Sequence, residues 1–449
     1  MAWPNKTPNV TALGRRAALL APLALAGCET IDGWFSSKKD PLPGAREAIG
    51  GTQRGFNPDE SAPKVTLPPQ TRTAAWAQAG GNAQHVMGHL AANDSLKQAW
   101  TANLGEGGGT RRKLLARPVV GNGVVYAQDA DAAVSAYNLE TGARLWRTAT
   151  VAGDVESTNL GGGLCLEGGT LFAVNGVSEL LALDPANGGI RWRKNLSVPA
   201  RSAPTVAEGR VFLTTIDSKL LALSVSDGQQ LWFYQATPAA TTILGGPAPA
   251  YSAGMVVAGF ASGEVVAVRA ETGSVVWTDG LGITRGRSAL VDFLAIRGEP
   301  AIANGQVYVA GMGGLTVAAD LLTGRRVWER RVASANAPWV AGNWLFLIST
   351  DQEIGAINLE DARISWVASL PRWENPEKKK NVITWYGPVL AGNRLIALGG
   401  NGEALFLSPM NGEVLGKQSL SDTPAPFAPV VADGTVLVVT DDGRLTAWR

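Results

Sequence analysis

Histidine and cysteine are scarce in this chain of 449 residues, which contains two of each. The cysteines, Cys28 and Cys165, are isolated and do not form the regular pairs of a disulfide framework. The histidines, His85 and His89, are four residues apart, but no glutamate follows the first and Gly88 weakens a helix. We therefore expect neither a zinc site nor a Ser-His-Asp hydrolase.

Net charge is also nearly absent, since 39 Lys and Arg face 38 Asp and Glu and leave a formal charge of +1. Proteins that bind the phosphate backbone of nucleic acids present a basic surface, so we expect no nucleic-acid partner. Hydrophobic residues make up 45% and charged residues 17% of the chain, which is typical of a globular protein. Long apolar runs are missing too, so no transmembrane helix is predicted.

The first residues have the order of a secretory signal. Arg15-Arg16 precedes an apolar run, 17–26, that is too short to span a bilayer, and Leu25-Ala26-Gly27-Cys28 follows. These four residues resemble the bacterial lipobox, which implies cleavage before Cys28 and acylation of its thiol. The alternative is an ordinary signal peptide cleaved elsewhere. Glu29, in place of the aspartate that favours inner-membrane retention, favours the outer membrane.

These features predict the organisation of the amino-terminal part. Residues 1–27 form the signal peptide. Residues 28–70, which mix Pro, Gly, Lys and Asp, form a lipidated flexible tether. Residues 71–95 form an irregular strap packed on the body.

Glycine and tryptophan are abundant instead, with 54 and 15 copies, and they mark a repeat that starts at residue 96. Apolar runs alternate with turns, and each unit closes on Asp or Glu, Thr-Gly, three residues and Trp. Clear or partial copies end at Trp146, Trp192, Trp232, Trp277, Trp328 and Trp366. Each tryptophan should pack between neighbouring units.

The first turn of each unit counts the repeats. Eight such turns contain the Gly or Asn that a tight hairpin needs, from Asn122-Gly123 to Asp433-Gly434. Residues 96–449 number 354, and an eighth of that is about 44, the length of a four-stranded propeller blade. The sequence therefore predicts an all-β fold, an eight-bladed β-propeller with four-stranded antiparallel blades.

The two ends of the repeat predict how the ring closes. The final unit, up to Leu445-Thr-Ala-Trp-Arg449, supplies three strands only. The missing fourth strand, with its tryptophan, is Leu96-Lys-Gln-Ala-Trp100. The amino-terminal strand should complete the last blade and cover edges that an open sheet would expose.

The Asp/Glu-x-Thr-Gly-x-x-x-Trp pattern resembles the tryptophan-docking repeat of quinoprotein propellers. One such family, the pyrroloquinoline-quinone dehydrogenases, has a longer chain, a Ca²⁺ site and often adjacent cysteines; this chain has no adjacent cysteines and no evident acidic cluster. The lipobox and the small size resemble the BamB-type lipoproteins of the β-barrel assembly machinery more closely. A propeller that binds cell-wall polysaccharide is a third alternative.

The BamB-type resemblance implies a non-catalytic scaffold without a cofactor, lipid-anchored on the periplasmic face of the outer membrane. It implies a periplasmic POTRA domain of BamA as partner, with other assembly subunits, and unfolded outer-membrane proteins as clients. By the order of the blades, the family's partner loops correspond here to 241–246 and 285–297. The candidate partner-binding residues are Ile243, Leu244, Arg287, Asp292, Phe293 and Arg297.

The match is incomplete, because the arginine of the family's first loop is missing here. The alternative is that both loops only cover blade edges. A further charged segment, Lys378–Lys380, follows Trp373. It is either a solvated loop or a contact with anionic lipid or an acidic partner.

Overall fold

The structure, a computed structural model, describes residues 56–449 except for 110–111, 152–161, 201, 240–243 and 283–293. Within the described residues the chain forms eight four-stranded antiparallel sheets and one two-stranded sheet. The first strands of six pairs of neighbouring sheets contact each other, and one hydrophobic cluster joins the remaining two pairs, so each sheet is one blade of a closed ring. The predicted eight-bladed β-propeller is therefore confirmed.

The blades follow one another along the chain. Blade 1 consists of β2 (Val119–Gly121), β3 (Val124–Gln128), β4 (Val134–Asn138) and β5 (Arg144–Thr148), and blade 2 of β6 (Gly162–Glu167), β7 (Thr170–Asn175), β8 (Glu179–Leu183) and β9 (Ile190–Asn195). Blade 3 consists of β10 (Thr205–Ala207), β11 (Arg210–Thr214), β12 (Lys219–Ser224) and β13 (Gln230–Gln235), and blade 4 of β14 (Ala250–Ser252), β15 (Met255–Gly259), β16 (Glu264–Arg269) and β17 (Val275–Gly280).

Blade 5 consists of β18 (Ala301–Ala303), β19 (Gln306–Ala310), β20 (Thr316–Asp320) and β21 (Arg326–Arg330), and blade 6 of β22 (Trp339–Ala341), β23 (Trp344–Ile348), β24 (Glu353–Asn358) and β25 (Ile364–Ser369). Blade 7 consists of β28 (Trp385–Ala391), β29 (Arg394–Gly399), β30 (Glu403–Leu407) and β31 (Val414–Ser419), and blade 8 of β32 (Val430–Ala432), β33 (Thr435–Val439), β34 (Arg444–Trp448) and β1 (Gln98–Asn103). The two-stranded sheet is β26 (Trp373–Asn375) with β27 (Lys380–Val382).

The two faces of the ring carry different connections between strands. Because the strands are antiparallel, the turns between first and second strands and between third and fourth strands lie at one end, which we call the turn face. The turns between second and third strands and the connections between blades lie at the other end, the loop face. At the turn face, Asn122 and Gly123 both have positive φ, 52° and 73°, which is the geometry of a tight hairpin.

The repeated tryptophans join neighbouring blades, as predicted. In each of seven blades the indole N–H donates to a carbonyl beside the last turn of the next blade, at 2.8–3.0 Å: Trp100 to Leu139, Trp146 to Pro185, Trp192 to Val225, Trp232 to Ala270, Trp277 to Leu321, Trp328 to Leu359 and Trp366 to Pro409. The turn glycine lies against the ring. A Cβ at Gly142, for example, would lie 2.6 Å from Trp100.

The joint between blades 7 and 8 is built differently. In the other seven blades the tryptophan pairs across the sheet with an alanine, as Trp232 does with Ala222. In blade 7 the pair is reversed, since Gly416 faces Phe406. Blade 8 has no continuous turn between its third and fourth strands for a tryptophan to meet. A phenylalanine on the third strand fills the space, with the Arg394 guanidinium 4.5 Å from its ring centroid.

The ring closes through its ends. β1 pairs antiparallel with β34, and Trp100 lies opposite Ala447. The amino-terminal strand thus completes the last blade, as the sequence predicts. The backbone of Lys97 and that of Arg449 exchange two further hydrogen bonds, of 2.7 and 2.9 Å.

The segment before β1 circles the axis inside the propeller. We call residues 71–91 the inner ring, because in chain order they meet blades 8, 1, 2, 3, 4, 5, 6 and 7. The hydrogen-bonded pairs are Thr73–Asp433, Trp76–Val120, Ala77–Leu166, Gln78–Val206, Ala83–Tyr251, Gln84–Ile302, Gly88–Trp339 and Leu90–Leu390. All eight partners lie in a first strand or in the turn after it, so the inner ring occupies the axis near the turn face.

The inner ring also closes on itself. Thr71 and Leu90 form a parallel bridge, with the Thr71 amide donating to the His89 carbonyl at 2.8 Å. His89 fixes the junction, because Nδ1 lies 2.8 Å from the Pro68 carbonyl and Nε2 lies 2.5 Å from the Gly392 carbonyl.

The preceding residues lie along blades 5 and 6. Phe56 and Val65 are 5% and 1% exposed, and the Asp59 carboxylate pairs with Arg330 at 2.9 Å. The sequence placed residues 56–70 in the flexible tether. In the structure these residues pack against the propeller instead, because apolar side chains such as Phe56 and Val65 are buried in hydrophobic clusters with residues of the blades.

Candidate partner-binding surface

The two loops that the sequence predicts for partner binding connect blades 3 and 4 and blades 4 and 5, at the loop face. Of the candidate residues, Leu244 and Arg297 belong to the described part of the chain. Leu244 is 39% exposed and precedes two glycines. The remaining candidates lie outside the described residues, as does the predicted lipidation site: Ile243, Arg287, Asp292, Phe293 and Cys28.

The described ends of the two loops meet near the axis. Gly245 and Gly246, from the first loop, line a cavity of about 80 Å³ together with Arg297, from the second. Gln78 and Ala79 of the inner ring line the same cavity from the turn-face side. The cavity is therefore lined by the described ends of both candidate loops and by the inner ring.

A buried polar cluster lies beside this cavity. The Arg117 guanidinium is 3.3 Å from the Glu299 carboxylate, whose side chain is 9% exposed. Burial raises the pKa of Glu299, but the charge of Arg117 outweighs it and leaves the pKa below its ordinary value. Glu299 is thus held as a carboxylate that already has a cationic partner.

His85 completes the cluster from the inner ring. Its Nδ1 lies 2.7 Å from the Pro300 carbonyl, which makes Nδ1–H the donor and leaves Nε2 buried without a hydrogen-bond partner. Burial lowers the pKa of His85, against the smaller opposing effect of Glu299. Burial therefore favours the neutral form of the imidazole.

A neighbouring cavity of about 90 Å³ extends the axial space towards blade 7. It is lined by Arg297, Tyr386, Trp339 and Phe427, with Trp76 and His85 of the inner ring. Burial raises the pKa of the Tyr386 hydroxyl, and the Arg297 guanidinium, which is hydrogen-bonded to it, opposes this in part. Arg297 is therefore shared between the candidate loop and the axial cavities.

The axial residues do not fit the Ca²⁺ site of a quinoprotein dehydrogenase. Among the described residues that line these two cavities, Glu299 supplies the one carboxylate, and it is paired with Arg117. Ca²⁺ takes six to eight oxygen ligands, several of them usually carboxylate oxygens. In the described part of the chain, no three His, Cys, Asp or Glu side chains are grouped as metal ligands would be.

The lysine segment forms a hairpin that the sequence did not predict. β26 and β27 pair between blades 6 and 7, with Trp373 opposite Val382 and Asn375 opposite Lys380. Because it lies in a connection between blades, the hairpin belongs to the loop face.

Sequence reasoning predicted a strap at residues 71–95 but missed its circular course, and it missed the cluster of Arg117, Glu299 and His85, which we call the axial cluster. Glu299, Arg117 and His85 are far apart along the chain and belong to no motif. The unusual feature that the sequence offers is two histidines placed near each other in a non-repetitive segment.

In the part of the chain that the structure describes, no helix is long and apolar enough to span a bilayer.

Comparisons with known proteins agree on one family. A sequence profile described as "Outer membrane protein assembly factor BamB" matches residues 87–159 and 130–368. The protein of that name from Yersinia pestis is 25% identical over 359 residues, which cover 79% of this chain and 89% of that protein. The protein of that name from Escherichia coli is 26% identical over 351 residues, 77% of this chain and 87% of that protein.

Among solved structures, BamB from Moraxella catarrhalis is similar to this chain with a TM-score of 0.67 at 20% identity, covering 79% of this chain and all of that one. A quinohemoprotein alcohol dehydrogenase from Comamonas testosteroni reaches 0.64 at 15% identity, over 84% of this chain and 81% of that one. These structural similarities are evidence for the shared propeller fold alone.

Proposed function

The chain belongs to the family of the outer membrane protein assembly factor BamB, and we propose from this that it is a non-catalytic scaffold of the β-barrel assembly machinery. The observation that carries the proposal is the family match, which spans more than half of the chain. In this proposal the protein aids the insertion of outer-membrane β-barrels, whose unfolded chains are its clients.

The proposal includes a lipid anchor at Cys28 that holds the protein on the periplasmic face of the outer membrane. Support comes from Leu25-Ala26-Gly27-Cys28 after a short apolar run. Mass spectrometry of the amino-terminal peptide should find diacylglycerol on Cys28, and Cys28→Ala should move the protein out of the membrane fraction. An unmodified Cys28 in the mature protein would refute the anchor.

The partner in this proposal is a POTRA domain of BamA, which docks on the two loops at 241–246 and 285–297. Their described ends, at Gly245 and Arg297, line one cavity and so present a single surface. Long connections between strands usually serve binding, and arginine with aromatic residues is typical of binding hot spots.

Co-purification with BamA tests the site. Phe293→Ala or Asp292→Arg should lower recovery of BamA at least about tenfold, in the range expected for loss of a hot spot, without a change in melting temperature. Phe233→Ala is the matched control, because Phe233 is 54% exposed on the outer strand β13 and belongs to neither loop. Equal loss from Phe233→Ala and Phe293→Ala, or no loss from either loop variant, would contradict the proposed site.

A scaffold also differs from a quinoprotein enzyme in its absorption spectrum. The purified scaffold should lack a quinone chromophore before and after addition of Ca²⁺. A stoichiometric chromophore in the near ultraviolet would instead support the dehydrogenase alternative. Retention on purified cell-wall material without any protein partner would support a polysaccharide-binding propeller.

A further inference from the structure

The β26–β27 hairpin carries positive charge that the propeller does not neutralise. Residues 372–382 contain four cations, Arg372 and Lys378–Lys380, against Glu374 and Glu377, so the net charge is +2. The three lysines are exposed, and the Glu374 carboxylate accepts a hydrogen bond of 2.8 Å from Asn381. The ammonium groups are thus directed to the solvent at the loop face.

The same hairpin carries apolar surface beside the charge. Trp373 and Val382 face each other across the two strands, so their side chains lie on one side of the hairpin. Val382 is 57% exposed, and the Arg372 guanidinium lies 5.6 Å from the Trp373 ring centroid. Tryptophan next to basic residues is typical of protein segments at a membrane surface.

The first described residue of the amino-terminal segment, Phe56, contacts the propeller close to this hairpin. The Phe56 amide donates to the Glu353 carboxylate, and Glu353 pairs across the sheet with Ser369, the last residue of β25. Trp373 follows four residues later. The attachment point of the amino-terminal segment and the hairpin are therefore both on blade 6 near the loop face.

The proposed lipid anchor at Cys28 is far along the chain from the first described residue. Residues 29–55 separate Cys28 from Phe56, and a chain of that length spans at most about 100 Å when fully extended. At such a reach, one attachment point does not by itself set the orientation of the propeller. A second contact close to the attachment point removes most of that freedom.

We propose that the β26–β27 hairpin binds anionic phospholipid headgroups and turns the blade 6 and 7 side of the loop face towards the membrane. The proposal deepens the proposed function, because it rests on the lipid anchor at Cys28. An acyl anchor and a basic patch are the two signals that together give stable membrane attachment. The candidate partner loops lie between blades 3, 4 and 5, on another sector of the same face, and stay accessible.

Vesicle flotation of the mature chain, residues 28–449, with Cys28→Ser tests the hairpin without the acyl chains. This chain should float with phosphatidylcholine vesicles that contain phosphatidylglycerol and should stay unbound with phosphatidylcholine alone. Adding Lys378→Glu, Lys379→Glu and Lys380→Glu should lower the partition coefficient about a hundredfold, because each lysine near an anionic surface contributes about 1 kcal/mol. The three Lys→Arg changes should keep binding.

A charge-matched control uses three exposed arginines at or near the turn face. Arg144→Glu, Arg269→Glu and Arg325→Glu change the net charge by the same amount and should leave flotation intact. Equal loss in both triple variants would show that net charge alone decides, and unchanged flotation of the lysine variant would remove the hairpin from the membrane contact. Binding only after addition of an acidic protein would also overturn the proposal.

Fluorescence in the acylated protein gives a second measurement. Val382→Cys can be labelled selectively, because Cys165 is fully buried and Cys28 is acylated. Quenching of the dye by lipid-bound quenchers should fall in the triple Lys→Glu variant while the protein stays anchored. If Cys28 proves to be unmodified, the anchor fails but flotation still decides whether the hairpin binds lipid.

Discussion

Thr71 pairs with Leu90, so the inner ring ends where it began after meeting all eight blades. The bridge is a local contact in space, yet the segment between the two residues contacts blades all round the axis. His89 adds hydrogen bonds to Pro68 before the ring and to Gly392 in blade 7. The amino-terminal segment is therefore tied both to itself and to the propeller.

Gln78 provides a test of how strongly the inner ring is held. Its side chain accepts from the Val206 amide at 3.1 Å and donates to the Val206 carbonyl at 3.0 Å, in a buried site. Gln78→Leu leaves both backbone groups buried without partners, so the free energy of unfolding should fall by about 2–4 kcal/mol. Urea denaturation measures it. Gln70→Leu, which removes an exposed hydrogen bond to Asn393, is the control and should change stability by less than about 0.5 kcal/mol.

The turn glycines should differ in their tolerance of a methyl group. Gly142 and Gly123 have nearly the same φ, 72° and 73°, but only Gly142 lies against a tryptophan. Both Gly→Ala changes cost about 1 kcal/mol for the left-handed backbone. Gly142→Ala should cost a further 1–3 kcal/mol or so because its Cβ collides with Trp100. Equal decreases in melting temperature for the two variants would mean that Trp100 moves aside at little cost in free energy.

The reversed pair in blade 7 can be tested by a double-mutant cycle. Phe406→Ala should destabilise the protein by about 3–5 kcal/mol, because it empties the joint between blades 7 and 8. Gly416→Trp alone should overfill that joint. The double variant restores the Ala–Trp pair of the other blades and should be clearly more stable than the sum of the single changes predicts. If urea denaturation shows that the two single changes in unfolding free energy simply add in the double variant, the idea that the tryptophan replaces the phenylalanine in this joint is contradicted.

His85 should make stability depend on pH. Its pKa in the folded protein lies below the ordinary value of 6.5, chiefly because of burial. As the pH falls below 6.5, the unfolded chain takes up the proton more readily than the folded protein, so stability is lost by up to about 1.4 kcal/mol per pH unit. His85→Asn keeps a donor for Pro300 and tolerates the positive φ of 59° at this position.

The measurement for His85 is the difference in unfolding free energy between pH 7 and pH 5.5. The wild-type protein should lose more stability than His85→Asn over this interval. Parallel pH profiles would show that the imidazole is protonated in place.

The sequence predicted the propeller because its information is local and repeated. A turn such as Asn122-Gly123 and a tryptophan four residues after a turn glycine fix a blade within about 44 residues, and the copies count the blades. Closure was predictable for the same reason, since Trp100 is a copy of the repeat displaced to the other end of the chain. The structure places it opposite Ala447.

The inner ring and the axial cluster were not predictable in this way. Gln78 meets Val206 and His89 meets Gly392, contacts between residues 128 and 303 positions apart with no shared motif. Their geometry follows from the curvature of the finished ring rather than from any local pattern. Of the candidate partner residues, Leu244 and Arg297 lie at the loop face in the structure, and partner binding by all six residues stays a prediction.

The inner ring also has a consequence for the order of assembly. It needs partners from every blade, and the last of them, Asp433, is near the carboxyl end of the chain. A ribosome delivers residues 71–91 long before it delivers blade 8. The inner ring, which is synthesised early, can therefore complete its contacts only after blade 8 has been made, and a nascent chain that ends before Asp433 lacks the contact between the inner ring and blade 8.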